Sequence, residues 1–427
     1  MLIYHAGRWL SSVPCLRICL RIRPPIAGIV LLAGLLTGFQ RTDAQDHVPT
    51  PEDIALAISN PDEFAWQLFM DISHQAEMGK AGWPDTTKSD FRDYDDDSPV
   101  VWETWALASG GRVLSHYAHP NRSEVFLDRG AQPAEWSSLE RQKPAPKYFE
   151  MYPGKGVEFL VQNGRHLGAF DPVEDGGEGG IEVRMNRALF DYVRDNTLYN
   201  VEGLEARVRS GDAIDTPTAS KEIKARWVPI TDADKPRYHW RMVTKSDGTI
   251  QYWGLSALHI ITRDLPNWFW CDFEHVDFER NAEQYSRDTT TRGEQPTKGN
   301  HGVRQETVGT KWETMRLRGT QVDFVDTIGR PTILANSQLE HGFQQTASCI
   351  TCHSRATVGL RVNRPDLPKW QVDSLPSELA ANPTIRGAVG APDPDWFRNE
   401  RGEMVYTQTH FVWSIPFRAL STKVDPE

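Results

Sequence analysis

Two cysteines and a histidine near the C-terminal end of the chain are the side chains best suited to chemistry. They are Cys349, Cys352 and His353, in a Cys-x-x-Cys-His arrangement. Two thiols at this spacing can add to the two vinyl groups of one haem, and the imidazole that follows can bind its iron. The sequence therefore predicts a c-type haem site, with two thioether bonds from the cysteines and His353 as the proximal ligand.

The same spacing also occurs in zinc sites and in redox-active dithiols. A structural zinc site usually needs a second pair of Cys or His ligands at a matching spacing, and the sequence has no such pair. A thioredoxin-like dithiol is expected where a strand leads into a helix, whereas residues 339–347 favour a helix or a loop. Because the motif occurs once, one covalently attached haem c with its iron is the predicted cofactor.

The first 44 residues, 1–44, have the features of a secretory signal peptide. Basic residues up to Arg23 precede an apolar run from Ile26 to Phe39, and small residues stand before a cleavage point at Ala44. An uncleaved membrane anchor is the alternative, but the apolar run is short for a span of about 20 residues. Because bacteria attach c-type haem outside the cytoplasmic membrane, secretion and haem attachment agree. We therefore expect a periplasmic protein.

The chain has an excess of acidic residues. Its 427 residues include 58 Asp and Glu against 47 Lys and Arg, which gives a formal net charge of −11. This charge disfavours nucleic acid and anionic membranes as partners, and it favours a redox partner protein with a basic patch. Once the signal peptide has been cleaved, no stable membrane insertion is expected.

The remaining patterns predict an α+β protein in two parts. Residues 45–335 are expected to form a large β-rich, aromatic domain with a few helices, and residues 336–427 a small, mainly α-helical haem segment. Strands are indicated at Glu222–Trp227 and on both sides of two hairpin turns, Asn163-Gly164 and Asp247-Gly248. Helices are predicted from Phe64 to about His74, across Val100–Leu107 and across Arg184–Tyr199.

The most aromatic stretch, residues 268–277, alternates as a strand does. One face of that strand is expected to carry Trp268, Trp270, Asp272 and Glu274, and the other Phe269, Cys271, Phe273 and His275. His275 therefore falls with the apolar set, and His259 lies in a similar apolar run. A single histidine in such a position is usually a hydrogen-bonded core residue, and contact with the haem is the alternative role.

The sixth iron ligand decides whether the haem passes electrons or binds a small molecule. Met404, the only methionine after the motif, lies 51 residues beyond His353, a separation at which small c-type cytochromes commonly return a methionine. We therefore predict Met404 as an iron ligand beside His353. The alternatives are no ligand or one of four histidines: His410, His341, His259 and His275. On the proximal side, the carbonyl of Pro365 is a candidate acceptor for the second ring nitrogen of His353.

At Cys349, Cys352 and His353 the C-terminal part resembles the cytochrome c superfamily. The resemblance implies two thioether attachments, a proximal histidine and a cytochrome c-like haem segment. The whole chain also looks like a group of large secreted bacterial monohaem c-type cytochromes, in which a long N-terminal part precedes a late Cys-x-x-Cys-His.

Three functions are compatible with these features. The favoured one is one-electron transfer by a periplasmic monohaem c-type cytochrome. The alternative is a haem c oxidoreductase with an open distal position and a substrate site in the large N-terminal domain, since a carrier alone needs only about 100 residues. A third is a sugar- or polymer-binding module with the haem as electron outlet, for which exposed tryptophans among the 15 in the chain would be the sign.

Overall fold

An antiparallel sheet forms the centre of this computed structural model. The structure describes residues 47–95, 98–108, 123–139, 150–152, 161–162, 165–166, 179–244, 250–278, 304–336, 338, 348–360 and 389–423. All of them fall in one compact unit. No helix within these residues has both the length and the apolar character needed to cross a membrane. The predicted signal peptide, residues 1–44, lies outside the described residues.

The described residues contain strands, α-helices and short 3-10 turns. The strands are β1 (Ala106–Leu107), β2 (Glu150–Tyr152), β3 (Val161–Gln162), β4 (Arg165–His166), β5 (Gly179–Met185), β6 (Lys221–Ile230), β7 (Trp240–Thr244), β8 (Ile250–Thr262), β9 (Phe269–His275), β10 (Met315–Gln321), β11 (Thr357–Gly359) and β12 (Tyr406–Gln408). The helices are α1 (Pro51–Ser59), α2 (Pro61–Ser73), α3 (Trp136–Leu139), α4 (Arg187–Asp195), α5 (Val201–Ser210), α6 (Cys349–Ser354) and α7 (Ser414–Arg418). The 3-10 turns include Val101–Thr104, Val276–Phe278 and Lys311–Thr314.

The central sheet has the strand order β1-β5-β6-β8-β9-β10, with β2 paired to β5 and β7 to β8. Every pairing in it is antiparallel. Lys224 of β6 lies opposite His259 of β8, which in turn lies opposite Asp272 of β9. Because directly opposite residues point to the same side of a sheet, these three side chains share one face. We call it the site face.

The opposite face of the sheet is apolar and is covered by α2. Phe269, Cys271 and Phe273 of β9 belong to its hydrophobic core together with the aromatic side chains of α2. The ring of Phe69 stacks on that of Phe273 at a centroid distance of 4.3 Å. Pro61 at the start of α2 and two acidic residues in its first turn favour a helix beginning there. The predicted alternation along β9 is confirmed for these three residues.

The hydrophobic core on the site face contains side chains from both predicted parts of the chain. Ile261 and Trp270 of the sheet pack in one cluster with Cys349, Ile350 and other residues of the C-terminal part. The boundary between 335 and 336 stays a prediction from sequence. The described residues on its two sides are held together by one core.

Several predicted elements are confirmed. The fold is mixed α+β with an antiparallel sheet, and α2 covers the helix predicted from Phe64. The strands that flank both predicted hairpin turns pair as expected, Val161 with His166 and Thr244 with Ile250, and the turn residues lie outside the described residues. The strand predicted at Glu222–Trp227 lies within β6.

Other predictions were wrong at the level of single elements. Arg184 lies in β5, and α4 begins only at Arg187, because Asn186 caps that helix and β6 pairs with the residues before it. Residues 100–107 form a 3-10 turn and β1 instead of an α-helix. Helix α1 was not predicted, although the reciprocal capping box of Thr50 and Asp53 marks its start.

Candidate functional site

The Cys-x-x-Cys-His motif forms the short helix α6. The Ser348 hydroxyl caps it by accepting the N–H of Thr351 at 3.4 Å. Positions one, four and five of such a helix share one side, so the two thiols and the imidazole project together. Both cysteines are free thiols, with Cys349 buried and Cys352 exposed. The structure therefore brings the three predicted motif residues into one turn of helix.

Gln321 at the end of β10 fixes α6 against the sheet. Its side-chain oxygen accepts the N–H of Ile350 at 3.0 Å, and its amide nitrogen donates to the Ser348 hydroxyl at 2.8 Å. The Gln321 side chain is fully buried, so both hydrogen bonds are shielded from water. The motif helix is consequently attached to the sheet by polar contacts as well as by apolar packing.

The imidazole of His353 is oriented by a backbone carbonyl. Its Nδ1 lies 2.8 Å from the oxygen of Phe411, and a carbonyl can only accept, so Nδ1 carries the proton and Nε2 the lone pair. The Trp270 ring packs edge-on against the imidazole at 4.8 Å between centroids. Burial lowers the pKa of His353 well below its usual value, and the neighbouring His259 lowers it further. A neutral imidazole with a fixed tautomer is the form that binds metals.

The segment that supplies this carbonyl has an uncommon backbone. His410 and Phe411 both have positive φ, 51° and 70°, which few non-glycine residues adopt. The Thr409 hydroxyl donates to the oxygen of Val412 at 3.0 Å and so closes the turn. The predicted acceptor, Pro365, lies outside the described residues. In the structure the acceptor for His353 is Phe411.

His259 and Asp272 lie on the site face next to the motif helix. Nδ1 of His259 donates to Oδ2 of Asp272 at 2.9 Å, and the amide of Asn336 donates to Oδ1 at 3.1 Å. The thiol of Cys349 lies 3.6 Å from Oδ2 of the same carboxylate and 3.3 Å from the oxygen of Leu334. Ligand atoms of His259, Asp272 and Cys349 all lie within 4.8 Å of one another. The ring centroids of His259 and His353 are 5.6 Å apart.

Three of the four other predicted ligand candidates, Met404, His275 and His410, lie elsewhere in the described residues. Met404 is 57% exposed and lies at an isolated bridge to Arg398. An axial methionine buries its thioether against the iron, and this exposure does not provide that burial. His341 lies outside the described residues. Met404 as iron ligand stays a prediction.

His275 and His410 use both ring nitrogens in other contacts. His275 lies 2.9 Å from the oxygen of Arg237 through Nε2 and accepts the N–H of Asp277 at Nδ1, and burial lowers its pKa to about 4. His410 accepts the indole N–H of Trp268 at Nδ1, at 2.8 Å, and its Nε2 lies 3.6 Å from Asp215. His275 thus has the core role predicted for it.

Sequence reasoning did not single out Asp272, Phe411, Gln321 or Glu222 as site residues. One sequence feature could have indicated Asp272: with Glu274 it follows two tryptophans on the same face of the aromatic stretch 268–274. No sequence pattern could indicate the carbonyl of Phe411, because every residue carries the same backbone group. Comparison with protein-family models, curated proteins and solved structures finds no match for this chain.

Glu222 is a buried acid on the site face. It stands two residues before Lys224 on β6, and the hydroxyl of Ser414 donates to its carboxyl group. Burial raises the pKa of Glu222 to about 7, and Ser414 and Arg418 only partly oppose this effect. The group therefore changes its charge near neutral pH at the junction of the sheet and α7.

The raised pKa of Glu222 predicts a pH dependence of stability. Between its ordinary pKa of 4.5 and about 7 the folded state holds a proton that the unfolded chain has lost. The free energy of unfolding should therefore fall as pH rises through this window, by up to about 3 kcal/mol. Glu222→Gln should flatten this dependence in urea unfolding measured at both ends of the window. Glu52→Gln, at an exposed position, should keep the wild-type slope; equal slopes in all three proteins would contradict the assignment.

Proposed function

We propose that this chain is a periplasmic monohaem c-type cytochrome that carries out one-electron transfer through covalently bound haem. The hydrogen bond from Nδ1 of His353 to the oxygen of Phe411 carries this proposal most directly. It holds a histidine of a Cys-x-x-Cys-His motif in the tautomer and orientation of a metal ligand. Core histidines such as His275 also bond to backbone carbonyls, so it is this bond together with the Cys-x-x-Cys-His motif that supports the proposal.

The side chains of α6 are of the types that hold a haem group. Cys349 and Cys352 would hold it through thioether bonds, and His353 would ligate the iron through Nε2. Bound haem supplies a one-electron couple between ferric and ferrous iron. Trp270 packs edge-on against the imidazole and shields part of it from water. Asp272 and Glu222 are acidic groups on the site face and contribute to the charge of that face.

The surface around the motif supports exchange of electrons with a protein partner. The thiol of Cys352 is exposed although Cys349 is buried, so one end of the motif reaches the protein surface. The chain carries a net charge of −11. A redox partner with a basic patch would be attracted to it over several ångströms, which speeds encounter without requiring a tight complex.

The proposal includes two finer statements. Residues 336–427 form a cytochrome c-like, mainly α-helical haem segment, whose motif helix α6 is bonded to the sheet through Gln321. Residues 1–44 direct the chain to the periplasm, where haem attachment takes place. Both statements rest on the motif and on the sequence pattern.

A haem c oxidoreductase is the second candidate function. The observation in its favour is the group of titratable side chains on the site face beside α6, namely Asp272, His259, Lys224 and Glu222. An electron carrier needs no such group, whereas a substrate site does. Exposed tryptophans were the expected sign of a sugar-binding role. None of the tryptophans in the described residues is exposed, so this sign is missing there.

The covalent attachment is tested by removing both motif thiols. The double variant Cys349→Ala, Cys352→Ala, produced in a host that attaches c-type haem, should show no haem on the protein after denaturation, because no thioether bond can form. Haem staining of denaturing gels and the pyridine haemochrome spectrum measure this. Cys271→Ala, which removes the buried thiol outside the motif, should keep full attachment. Haem still bound to the denatured double variant would contradict the proposal.

Carbon monoxide distinguishes the two candidate functions. A haem with two strong protein ligands should show no change in the optical spectrum of the reduced protein on addition of carbon monoxide. A prompt spectral change would indicate an open position and would favour the oxidoreductase. The matched comparison is the same protein in the oxidised state, which does not bind carbon monoxide.

A further inference from the structure

We propose that the chain, before any haem is attached, binds one Zn²⁺ ion through the thiolate of Cys349, the imidazole of His259 and the carboxylate of Asp272. This zinc site goes beyond the proposed function and does not depend on it. It depends on three observations: the spacing of the ligand atoms, their burial, and the support of the carboxylate by Asn336.

The spacing of the ligand atoms is close to that of a zinc site. Proteins bind zinc at about 2.0–2.3 Å, so the ligand atoms of a tetrahedral site lie about 3.3–3.8 Å apart. Sγ of Cys349 is 3.6 Å from Oδ2 of Asp272, and Nδ1 of His259 is 2.9 Å from the same oxygen. Ligand atoms of the three residues all lie within 4.8 Å of one another. Shifts of about 1 Å therefore place them around one ion.

The ligands come from three elements that are distant from one another in sequence. His259 and Asp272 lie opposite each other on the paired strands β8 and β9, and α6 brings Cys349 to them. The oxygen of Leu334, 3.3 Å from the thiol, is the nearest further donor for a fourth position. The sequence has no second ligand pair at a matching spacing, and in the folded chain the sheet supplies the ligands that the motif lacks.

The charges of the three groups suit a divalent cation. On binding, the thiol of Cys349 releases its proton to solvent, and the proton of His259 moves from Nδ1 to Nε2 so that Nδ1 can bind the ion. The thiolate and the carboxylate then balance both charges of Zn²⁺. Asp272 is fully buried, and His259 and Cys349 are each 6% exposed, so water competes little for these positions. A neutral site thus replaces a single buried charge, which is costly to bury.

The carboxylate is held in place by a second hydrogen bond. Oδ1 of Asp272 accepts the side-chain amide of Asn336 at 3.1 Å, and Asn336 is itself fully buried. This contact leaves Oδ2 directed at the thiol and the imidazole. Hydrogen-bonded carboxylates of this kind are typical of metal ligands in proteins, because the outer contact fixes their orientation.

Zinc and haem exclude each other at Cys349. The thiolate is the form of cysteine that binds metals, and a thioether sulfur carries no charge. The zinc site therefore belongs to the chain before haem attachment, and one cysteine side chain takes part in two alternative sites.

X-ray absorption at the zinc edge tests the ligand set without any substitution. The full chain should be produced in a host that does not attach c-type haem, kept reduced and loaded with one equivalent of Zn²⁺. We expect one sulfur at about 2.3 Å together with nitrogen and oxygen ligands. Two sulfur ligands would show that the motif binds zinc through both cysteines and would overturn the proposal.

Two matched variants test which side chains bind. In competition with a chromophoric zinc chelator, Cys349→Ser and Asp272→Asn should each weaken zinc binding by at least about 10-fold, because each removes a negatively charged ligand. Cys352→Ser, at the other cysteine of the motif, should keep the wild-type affinity. Weaker binding in Cys352→Ser, or wild-type affinity in Asp272→Asn, would contradict the site.

The zinc site and the proposed function fail in different experiments. An apo-chain that takes up no zinc would overturn the zinc site and leave the haem proposal intact. Absence of covalent haem from the chain produced in a haem-attaching host would overturn the proposed function and leave the zinc site intact.

Discussion

The buried carboxylate of Asp272 is the interaction on which the arrangement of the site depends. A carboxylate without water must be compensated by donors, because its desolvation is otherwise costly. Before any thioether bond forms, the donors are the imidazole of His259, the amide of Asn336 and the thiol of Cys349; a thioether bond at Cys349 would leave the first two. The three donors come from a neighbouring strand, from the chain after β10 and from the motif helix. The buried carboxylate is thus contacted by three parts of the chain that are distant from one another in sequence.

The sheet can support this charge because its two faces differ. The face under α2 is built from aromatic and aliphatic side chains and supplies a dry core. On the site face, three acidic residues of β6 and β9 are each held by a partner: Glu222 by Ser414, Asp272 by His259, and Glu274 by Arg318. Because successive side chains of a strand point to opposite faces, one strand can pack one set into the apolar core and present the other set on the site face.

The sequence predicted the parts of this arrangement that depend on local pattern. The motif at 349–353, the hairpin turns and the alternation along β9 all follow from spacing of a few residues. It did not predict the meeting of His259 and Asp272, because the register between β8 and β9 is set by packing across the sheet. The strand at Arg184 was mistaken for helix for the same reason, since pairing with β6 overrides its local preference. The role of Phe411 depends on positive φ angles that a non-glycine sequence does not indicate.

The rigidity of the supporting elements bears on what kind of chemistry the site favours. His259 lies on β8, which is hydrogen-bonded on both sides, and His353 lies on a helix fixed to β10 through Gln321. Rings held in this way change position little, and precise sites are built on such elements. Met404, at an exposed bridge, has no comparable support. The scaffold therefore holds the motif histidine and its neighbour on rigid elements, which is the support that a precise site requires.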